Sequence, residues 1–237
     1  MRNYIILNGV NSNTITGLLI STLPPITKPK QRTQIEEIDG RDGDIVVSLG
    51  YSAYTKEFDI GLYGDFDIND VMTFFNGNGT VTFSNEEDKY YNYQILDQID
   101  YEKLIRFKKA KIKMHVQPFK YSTVEGTRTF TINDEEEITV NNSGNYVSKP
   151  VITIEGSGTI NLSVNDEQVL VIELDENGDT IVIDTNNMEA YNESTKALMN
   201  RDVTGDYDNL YLSSGKNTIS WTGTITKIQI KNYSRWL

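Results

Sequence analysis

Alternation of apolar and polar residues, interrupted by turn-forming residues at short intervals, is the strongest structural signal in this 237-residue chain. The side chains of a β-strand point alternately to opposite faces, so this pattern predicts strands with one buried and one solvated face. The clearest runs are Val81–Phe83, Ala110–Val116, Ile152–Ile154, Ile160–Val164, Val169–Leu174 and Ile225–Ile230. Short strands with frequent turn signals are typical of β-sandwiches and barrels, so the sequence predicts a mainly β protein.

The composition of the chain argues against several classes of structure and function. The chain has no cysteine, which excludes a disulfide scaffold and a cysteine-rich metal site. Its net charge of -12 is uneven, because residues 1–120 carry 14 basic and 16 acidic side chains, whereas the remainder carries 8 and 18. Such a surface repels polyanions and argues against nucleic-acid binding as the main task. The N-terminus lacks the features of a signal peptide, and no apolar run approaches membrane-spanning length.

Helix signals are scarce. Asp67–Asn76 combines capping residues at its start with apolar residues at helical spacing, and Gly77 follows as a stop. A second, weaker candidate covers Asn192–Asn200. One run of predicted strands ends before Glu125 and Gly126, which are expected in a flexible connection. We therefore place a domain break around residue 120 and expect domains at 1–120 and 121–237.

In the second domain, glycine- and asparagine-containing segments separate the apolar runs. We expect tight turns there, and a meander of short strands that packs as two sheets face to face. The expected turns are at Gly156–Gly158, Asn165–Glu167, Asn177–Gly178 and Thr222–Gly223.

A polar turn with two glycines, Gly40–Gly43, lies between two segments that read as strands. Gly40 and Gly43 can adopt the positive backbone angles of a tight connection, and Arg41 and Asp42 stand between them with nothing apolar to bury. The segment therefore predicts the tip of a hairpin.

A proline-rich segment, Leu23–Pro29, must be extended, because its three prolines, Pro24, Pro25 and Pro29, are incompatible with a helix or a central strand. It suits an arm lying along a neighbouring subunit. A loop covering its own domain explains it equally well.

His115 is the only histidine, and it lies in a strand whose alternation places Lys109, Lys111 and Lys113 on the same face. With no cysteine and no second histidine, a nucleophile–base pair is not predicted. Three lysines at strand spacing could follow phosphates, but acidic surfaces of neighbouring subunits fit this stripe better.

Two further motifs have simpler interpretations than the chemistry they suggest. Asp175–Asp179 starts like a calcium loop, yet Thr180 stands where the loop glycine belongs and Asn186 where the bidentate glutamate belongs, so a hairpin turn is favoured. Tyr207, Tyr211 and Trp221 could stack on a sugar if they were exposed together.

Several segments, in this order, resemble siphophage distal tail proteins. The resemblance to their N-terminal domain rests on Gly40–Gly43, Asp67–Asn76, Gly79–Phe83, Tyr90–Tyr93 and Met114–Phe119, and the resemblance to their C-terminal domain on Lys149–Gly158, Ile181–Asp184 and Ser214–Ile219. The resemblance implies a split-barrel-like N-terminal β domain with a short helix, which forms a ring of six, and a C-terminal galectin-like β-sandwich (jelly-roll) domain.

The same resemblance implies a structural protein of the virion, encoded by a phage or a prophage and assembled in the host cytoplasm, with no enzymatic activity and no cofactor. It implies a homohexameric ring whose lumen passes DNA. The implied partners are the tail tube protein, the tail-tip hub or tail-associated lysin protein, and receptor-binding proteins. As contacts in the ring we expect Pro24, Pro25, Pro29, Arg41, Lys109, Lys111, Lys113 and His115.

A competing prediction is a monomeric carbohydrate-binding or host-adhesion module, in which Tyr207, Tyr211 and Trp221 would contact the glycan. Ring formation without glycan binding favours the first prediction, whereas saturable glycan binding by a monomer favours the second.

Overall fold

The computed structural model describes residues 2–40 and 42–237, so the predicted contact residue Arg41 lies outside the described residues. Strands make up 55% of the chain and helices 9%, which confirms the predicted mainly β class. The chain divides into two compact units, a first unit that runs through Thr123 and a second unit, Val124–Trp236.

The first unit contains one main antiparallel sheet, one separate two-stranded sheet and two short helices. In chain order its elements are β1 (Ile5–Leu7), β2 (Val10–Asn11), a 3-10 helix (Ser12–Thr14), β3 (Leu18–Ile20), β4 (Gln31–Glu37), β5 (Asp44–Tyr51), β6 (Tyr54–Leu62), α1 (Ile68–Phe74), β7 (Asn78–Phe83), β8 (Lys89–Gln94), α2 (Tyr101–Phe107) and β9 (Lys109–Ser122). Within the unit, seven strands follow the order β2-β1-β7-β8-β9-β6-β3, and β4 pairs only with β5.

The apolar residues of alternating strands form the core of the first unit. Phe58 and Ile60 of β6 lie beside Ile112 and Met114 of β9, and all four are fully buried or nearly so. The helices pack on the same core through Val71 and Leu104. Alternation thus buries one face of the sheet and leaves the other available to solvent or to a partner.

The helix predicted at Asp67–Asn76 is present as α1. Asp67 caps it, because its carboxylate accepts a hydrogen bond from the Asn69 backbone N–H at 2.8 Å. Helix α2 was not predicted. Asp100 caps it in the same way through the Lys103 N–H, and the helix is seven residues long and fully buries only Leu104.

The second unit contains one antiparallel sheet of seven strands around its own core. Its elements are β10 (Arg128–Thr131), β11 (Glu137–Asn142), β12 (Val151–Val164), β13 (Glu167–Asp184), β14 (Glu189–Asn192), β15 (Val203–Gly205), a 3-10 helix (Tyr207–Asn209), β16 (Gly215–Lys231) and β17 (Arg235–Trp236). In the sheet of β10 to β16 the long strands lie in the order β16-β12-β13, and the outer two change partners along their length, since β16 also pairs with β10 and β11, and β13 with β14 and β15. Side chains from both halves of these strands meet in one buried cluster.

Three of the four expected turns in this unit are bulges inside long strands, so the predicted meander of short strands is wrong there. Strand register shifts between Gly156 and Gly158, and Gly223 lies opposite this irregularity on β16. Asn177–Gly178 falls within β13, not at a hairpin end. A glycine inside a strand marks a bulge as readily as a turn, and sequence alone does not distinguish them.

The remaining turn is present. Asn165 and Asp166 adopt positive φ angles of 51° and 69° and join β12 to β13. The helix expected at Asn192–Asn200 is absent from this described segment. Instead, the Asn192 side chain accepts hydrogen bonds from the Ser194 and Thr195 backbone N–H groups, which folds the chain into a turn.

Candidate assembly surface

The hairpin of β4 and β5 forms the separate sheet of the first unit. Its strands pair from Glu37 opposite Asp44 to Gln31 opposite Tyr51, with the predicted glycine turn between them. Gly40 and Gly43 each have a φ of 79°, which a side chain would strain. Strands of this length extend about 23 Å at about 3.3 Å per residue.

Apolar side chains are exposed on both faces of the hairpin. Ile35 lies opposite Val46 on one face, with exposed fractions of 59% and 60%. Val47 and Leu49 lie on the other face and are also exposed. Ile38, next to the turn, is a further exposed apolar residue. We call this surface, residues 31–51, the apolar hairpin.

A hairpin that exposes apolar side chains on both faces has little stability of its own. Two-stranded hairpins are marginally stable in water, and large exposed apolar patches mark interaction sites. Its base is held by the Ser52 N–H, which donates to the Lys30 carbonyl at 2.8 Å, and by Tyr51, whose ring packs edge-on against Phe119. Covering the exposed half of each apolar side chain would contribute about 1 kcal/mol per residue, so contact with a partner would stabilise it.

The tip of the apolar hairpin is strongly acidic. Glu36, Glu37, Asp39, Asp42 and Asp44 lie within nine residues, and Arg41 is the only basic residue of that stretch of sequence. The described carboxylates of the tip are exposed. A partner surface for this tip must therefore supply positive charge.

The lysine stripe predicted on β9 is on the solvent-facing side of the strand. Lys109, Lys111 and Lys113 are exposed and His115 is half-buried, whereas the residues between them face the core. Neighbouring carboxylates neutralise part of the stripe: the Nζ atoms of Lys111 and Lys113 lie 3.3 and 3.7 Å from Glu57. Asp97 lies 4.0 Å from Lys113. The purely basic face expected from sequence is therefore mixed in charge.

A groove borders the stripe on the side of α2. Lys103, Lys109 and Lys111 line it together with Thr22, Asp59, Gln98 and Asp100. Among the residues that the structure describes, neither Lys103 nor Lys109 makes an ion pair. We call this the lysine groove. Sequence reasoning missed Lys103 because α2 was not predicted.

The start of the proline-rich segment is anchored to its own unit. Lys56, 3% exposed, donates a hydrogen bond from Nζ to the Pro25 carbonyl at 2.9 Å and lies over the Tyr91 ring. Burial lowers the pKa of Lys56 to about 8, against the attraction of Glu86. Glu86 also accepts hydrogen bonds from Tyr91 and Lys120, both at 2.7 Å.

Pro24 and Pro29 are buried within the chain, and only Pro25 of the three prolines is exposed. The Asn85 side chain donates to the Pro24 carbonyl at 3.1 Å. The structure thus favours a segment that covers its own domain over a free arm, and buried Pro24 and Pro29 are not available for the contacts with a neighbour that we expected.

The three aromatic residues considered for glycan contact do not form a shared platform. Trp221 is 5% exposed and belongs to the core of the second unit. Tyr207 is partly buried against that core, and only Tyr211 is exposed. Alternation along β16 points Trp221 inward, which corrects the expectation that it could stack on a sugar.

The described residues contain no cluster of potential metal ligands. Asp175 instead accepts hydrogen bonds from the backbone and side chain of Asn177, which lowers the pKa of its carboxyl group. None of the helices within the described part of the chain has the length and hydrophobicity needed to cross a membrane.

Comparison by sequence found no relative: no family model matches the chain, and no curated protein matches it. Comparison by structure found the Dit protein of phage SPP1, a hub of the adsorption apparatus in phages that infect Gram-positive bacteria. The two chains align over 100% of both lengths with a TM-score of 0.67 and 16% identity. The resemblance predicted from sequence is thus confirmed at the level of fold.

Two chains from the baseplate of phage P2 in its activated conformation, with calcium and with strontium, also align. Their TM-scores are 0.48 and 0.44, at 11% and 12% identity. The alignments cover 97% and 96% of this chain and 97% of each of those chains.

Proposed function

We propose that this protein is a structural component of a siphophage tail, a distal tail protein that joins the tail tube to the tail tip or baseplate. The observation that carries the proposal is the fold shared with the SPP1 Dit hub over the whole of both chains. A fold by itself hosts many functions, so the proposal also needs a surface suited to assembly. The apolar hairpin is such a surface.

The proposed assembly is a ring of six copies with DNA passing through its lumen. Subunits that join head to tail use two different surfaces and form a closed ring when the rotation between them closes. Half-exposed apolar side chains such as Ile35 and Val46 support burial of the apolar hairpin between copies. The absence of a net positive charge suits a channel for DNA, since a polyanion is not retained by a surface that attracts it weakly.

The proposed location is the virion, at the tail tip, with assembly in the host cytoplasm. The proposed partners are further copies of this chain, the tail tube protein, the tail-tip hub or lysin protein and receptor-binding proteins. The proposed role is mechanical and requires no catalysis and no cofactor.

Light scattering after size exclusion, over a range of protein concentrations, tests the proposal, with negative-stain electron microscopy of the largest species. We expect a species of six protomers that forms rings with an open centre. A protein that stays monomeric at the highest attainable concentration, or that forms a closed dimer, contradicts the ring.

A further inference from the structure

The acidic tip of the apolar hairpin requires a partner surface with positive charge, and the described chain offers one in the lysine groove. Both the hairpin and the lysine groove belong to the first unit, so every copy carries one of each. Because the two surfaces differ, contact between them would be head to tail and could be repeated from copy to copy.

Charge favours the lysine groove over a second hairpin as the partner. The stretch from Lys103 to Lys113 contains six basic residues and no acidic one, in a chain with an excess of acids. The hairpin tip, Glu36–Asp44, carries five carboxylates and one arginine. Two tips facing each other would repel, whereas a tip in the groove would meet its three lysines against the two carboxylates of Asp59 and Asp100.

Two lysines of the lysine groove make no ion pair with the described residues. Lys111 is shared with Glu57, but Lys103 and Lys109 have no carboxylate within ion-pair distance among the described residues. An approaching carboxylate would therefore not have to displace an existing ion pair at these two lysines. Glu37 and Asp44 lie directly opposite each other on the two strands of the hairpin, so their carboxylates share one face and match this pair.

An apolar contact accompanies the charges. Phe107 is 59% exposed and lies four residues after Lys103, so both side chains lie on one face of α2. On the hairpin, Ile38 is exposed between Glu37 and Asp39. An aromatic and an aliphatic side chain thus stand among the two sets of opposite charges, as in an interface with an apolar centre and a polar rim.

We infer that the acidic tip of the apolar hairpin of one copy docks in the lysine groove of the next copy, with Glu37 and Asp44 facing Lys103 and Lys109. The inference rests on the proposed self-assembly and deepens it, because it names both halves of the contact between neighbours. The partner is a second copy of this chain, joined head to tail.

Cysteine cross-linking tests this directly, because the natural chain has no cysteine. One variant carries Ile38→Cys at the hairpin tip and a second carries Gln98→Cys in the groove, both at exposed positions. Mixed and oxidised, they should form a disulfide-linked dimer at least tenfold faster than Ile38→Cys mixed with Glu167→Cys, an exposed control position in the second unit.

Two outcomes overturn the inference. Self-linking of Ile38→Cys as fast as the mixture would mean that hairpins meet each other. A mixture no faster than the Glu167→Cys control would mean that the tip does not visit the groove. The cross-link needs only two copies, so a specific cross-link without a six-copy species would contradict the ring alone, and a six-copy ring without the cross-link would contradict this contact alone.

Charge exchange distinguishes pairing from a folding defect. Glu37→Lys with Asp44→Lys on the hairpin variant, or Lys103→Glu with Lys109→Glu on the groove variant, should each slow cross-linking to the control rate. Mixing the two reversed variants should restore it. Failure of the exchange to restore the rate would overturn the assigned pairing, and circular dichroism of each variant verifies that it is folded.

Discussion

The two units of this chain treat their apolar side chains differently. Among the described residues, 12 large hydrophobic side chains are exposed in the first unit and 4 in the second. The second unit gathers its apolar residues into one core from both halves of its long strands. The first unit leaves those of the apolar hairpin in solvent. The second unit thus buries most of its large apolar side chains, whereas the first unit exposes an apolar surface suited to contact with a partner.

Strands β5 and β12 illustrate the difference. In β12 apolar residues alternate with polar ones, and Ile152, Ile154, Ile160 and Leu162 are fully buried. In β5 the consecutive residues Ile45, Val46 and Val47 place apolar side chains on both faces, a pattern typical of a strand covered on both sides. Within one chain β5 lacks that cover.

The largest expected effect concerns the core of the second unit. Trp221→Ala should lower the free energy of unfolding by about 3–5 kcal/mol, because it removes a buried aromatic side chain and leaves a cavity. Tyr211→Ala, at a more exposed position, is the control and should cost less than about 1 kcal/mol. Chemical denaturation measures both. Equal losses would mean that the core assignment is wrong.

The apolar hairpin should show the opposite behaviour. Val46→Ser with Val47→Ser should weaken self-association at least tenfold, since about 1.4 kcal/mol corresponds to tenfold in an equilibrium constant. The free energy of unfolding of the monomer should change by only about 0.5 kcal/mol, because both residues are exposed. Light scattering and denaturation are compared with Ser48→Ala on the same strand. Unchanged association would contradict the role of the hairpin.

Lys56 should make the stability of the first unit depend on pH. Because burial lowers its pKa from 10.5 to about 8, the folded protein loses this proton at lower pH than the unfolded chain. The unfolded chain then binds more protons, so the free energy of unfolding should rise from about pH 8 to about pH 10.

Above that range the trend should reverse. Burial raises the pKa values of Tyr91 and Tyr54, so the unfolded chain loses these protons first. Lys56→Met should remove the rise between about pH 8 and about pH 10, whereas Lys30→Met, at an exposed position, should retain it. Denaturation across this range is the measurement, and a flat wild-type profile would refute the buried lysine as its source.

The smallest effect separates charge from apolar burial in the contact between copies. Raising the salt concentration from about 0.1 M to about 0.5 M should weaken self-association a few-fold, since screening shortens the Debye length to about 4 Å and reduces the attraction between exposed charges. The Glu37→Lys, Asp44→Lys variant should associate more weakly and lose this salt dependence. Light scattering at each salt concentration tests it, and identical salt slopes would exclude the acidic tip from the contact.

Sequence predicted well what depends on local pattern. The alternation around Ile112 placed the faces of β9 correctly, Asp67 marked the start of α1, and Gly40 and Gly43 marked the hairpin tip. It failed where the outcome depends on distant residues. Gly156 and Gly223 could equally signal turns or bulges, and the strands that pair with them decide between the two.

Only part of the candidate assembly surface could be predicted from the sequence, for the same reason. The lysines of β9 were apparent, but Glu57 and Asp97 reach them through strand pairing and a loop that no local pattern encodes. The three aromatic residues were visible too, whereas the inward orientation of Trp221 follows from the register of β16. Exposure of the apolar hairpin was not predictable, because its pattern is that of a covered strand.

Hydrogen exchange at low and high protein concentration tests most directly whether the first unit carries the assembly surface and the second unit is complete without it. We predict that backbone amides in residues 31–51 and 98–111 gain protection at high concentration, while those of β12 and β13 do not change. A gain in protection confined to the second unit, or no gain anywhere at the concentration at which the protein associates, would contradict the account.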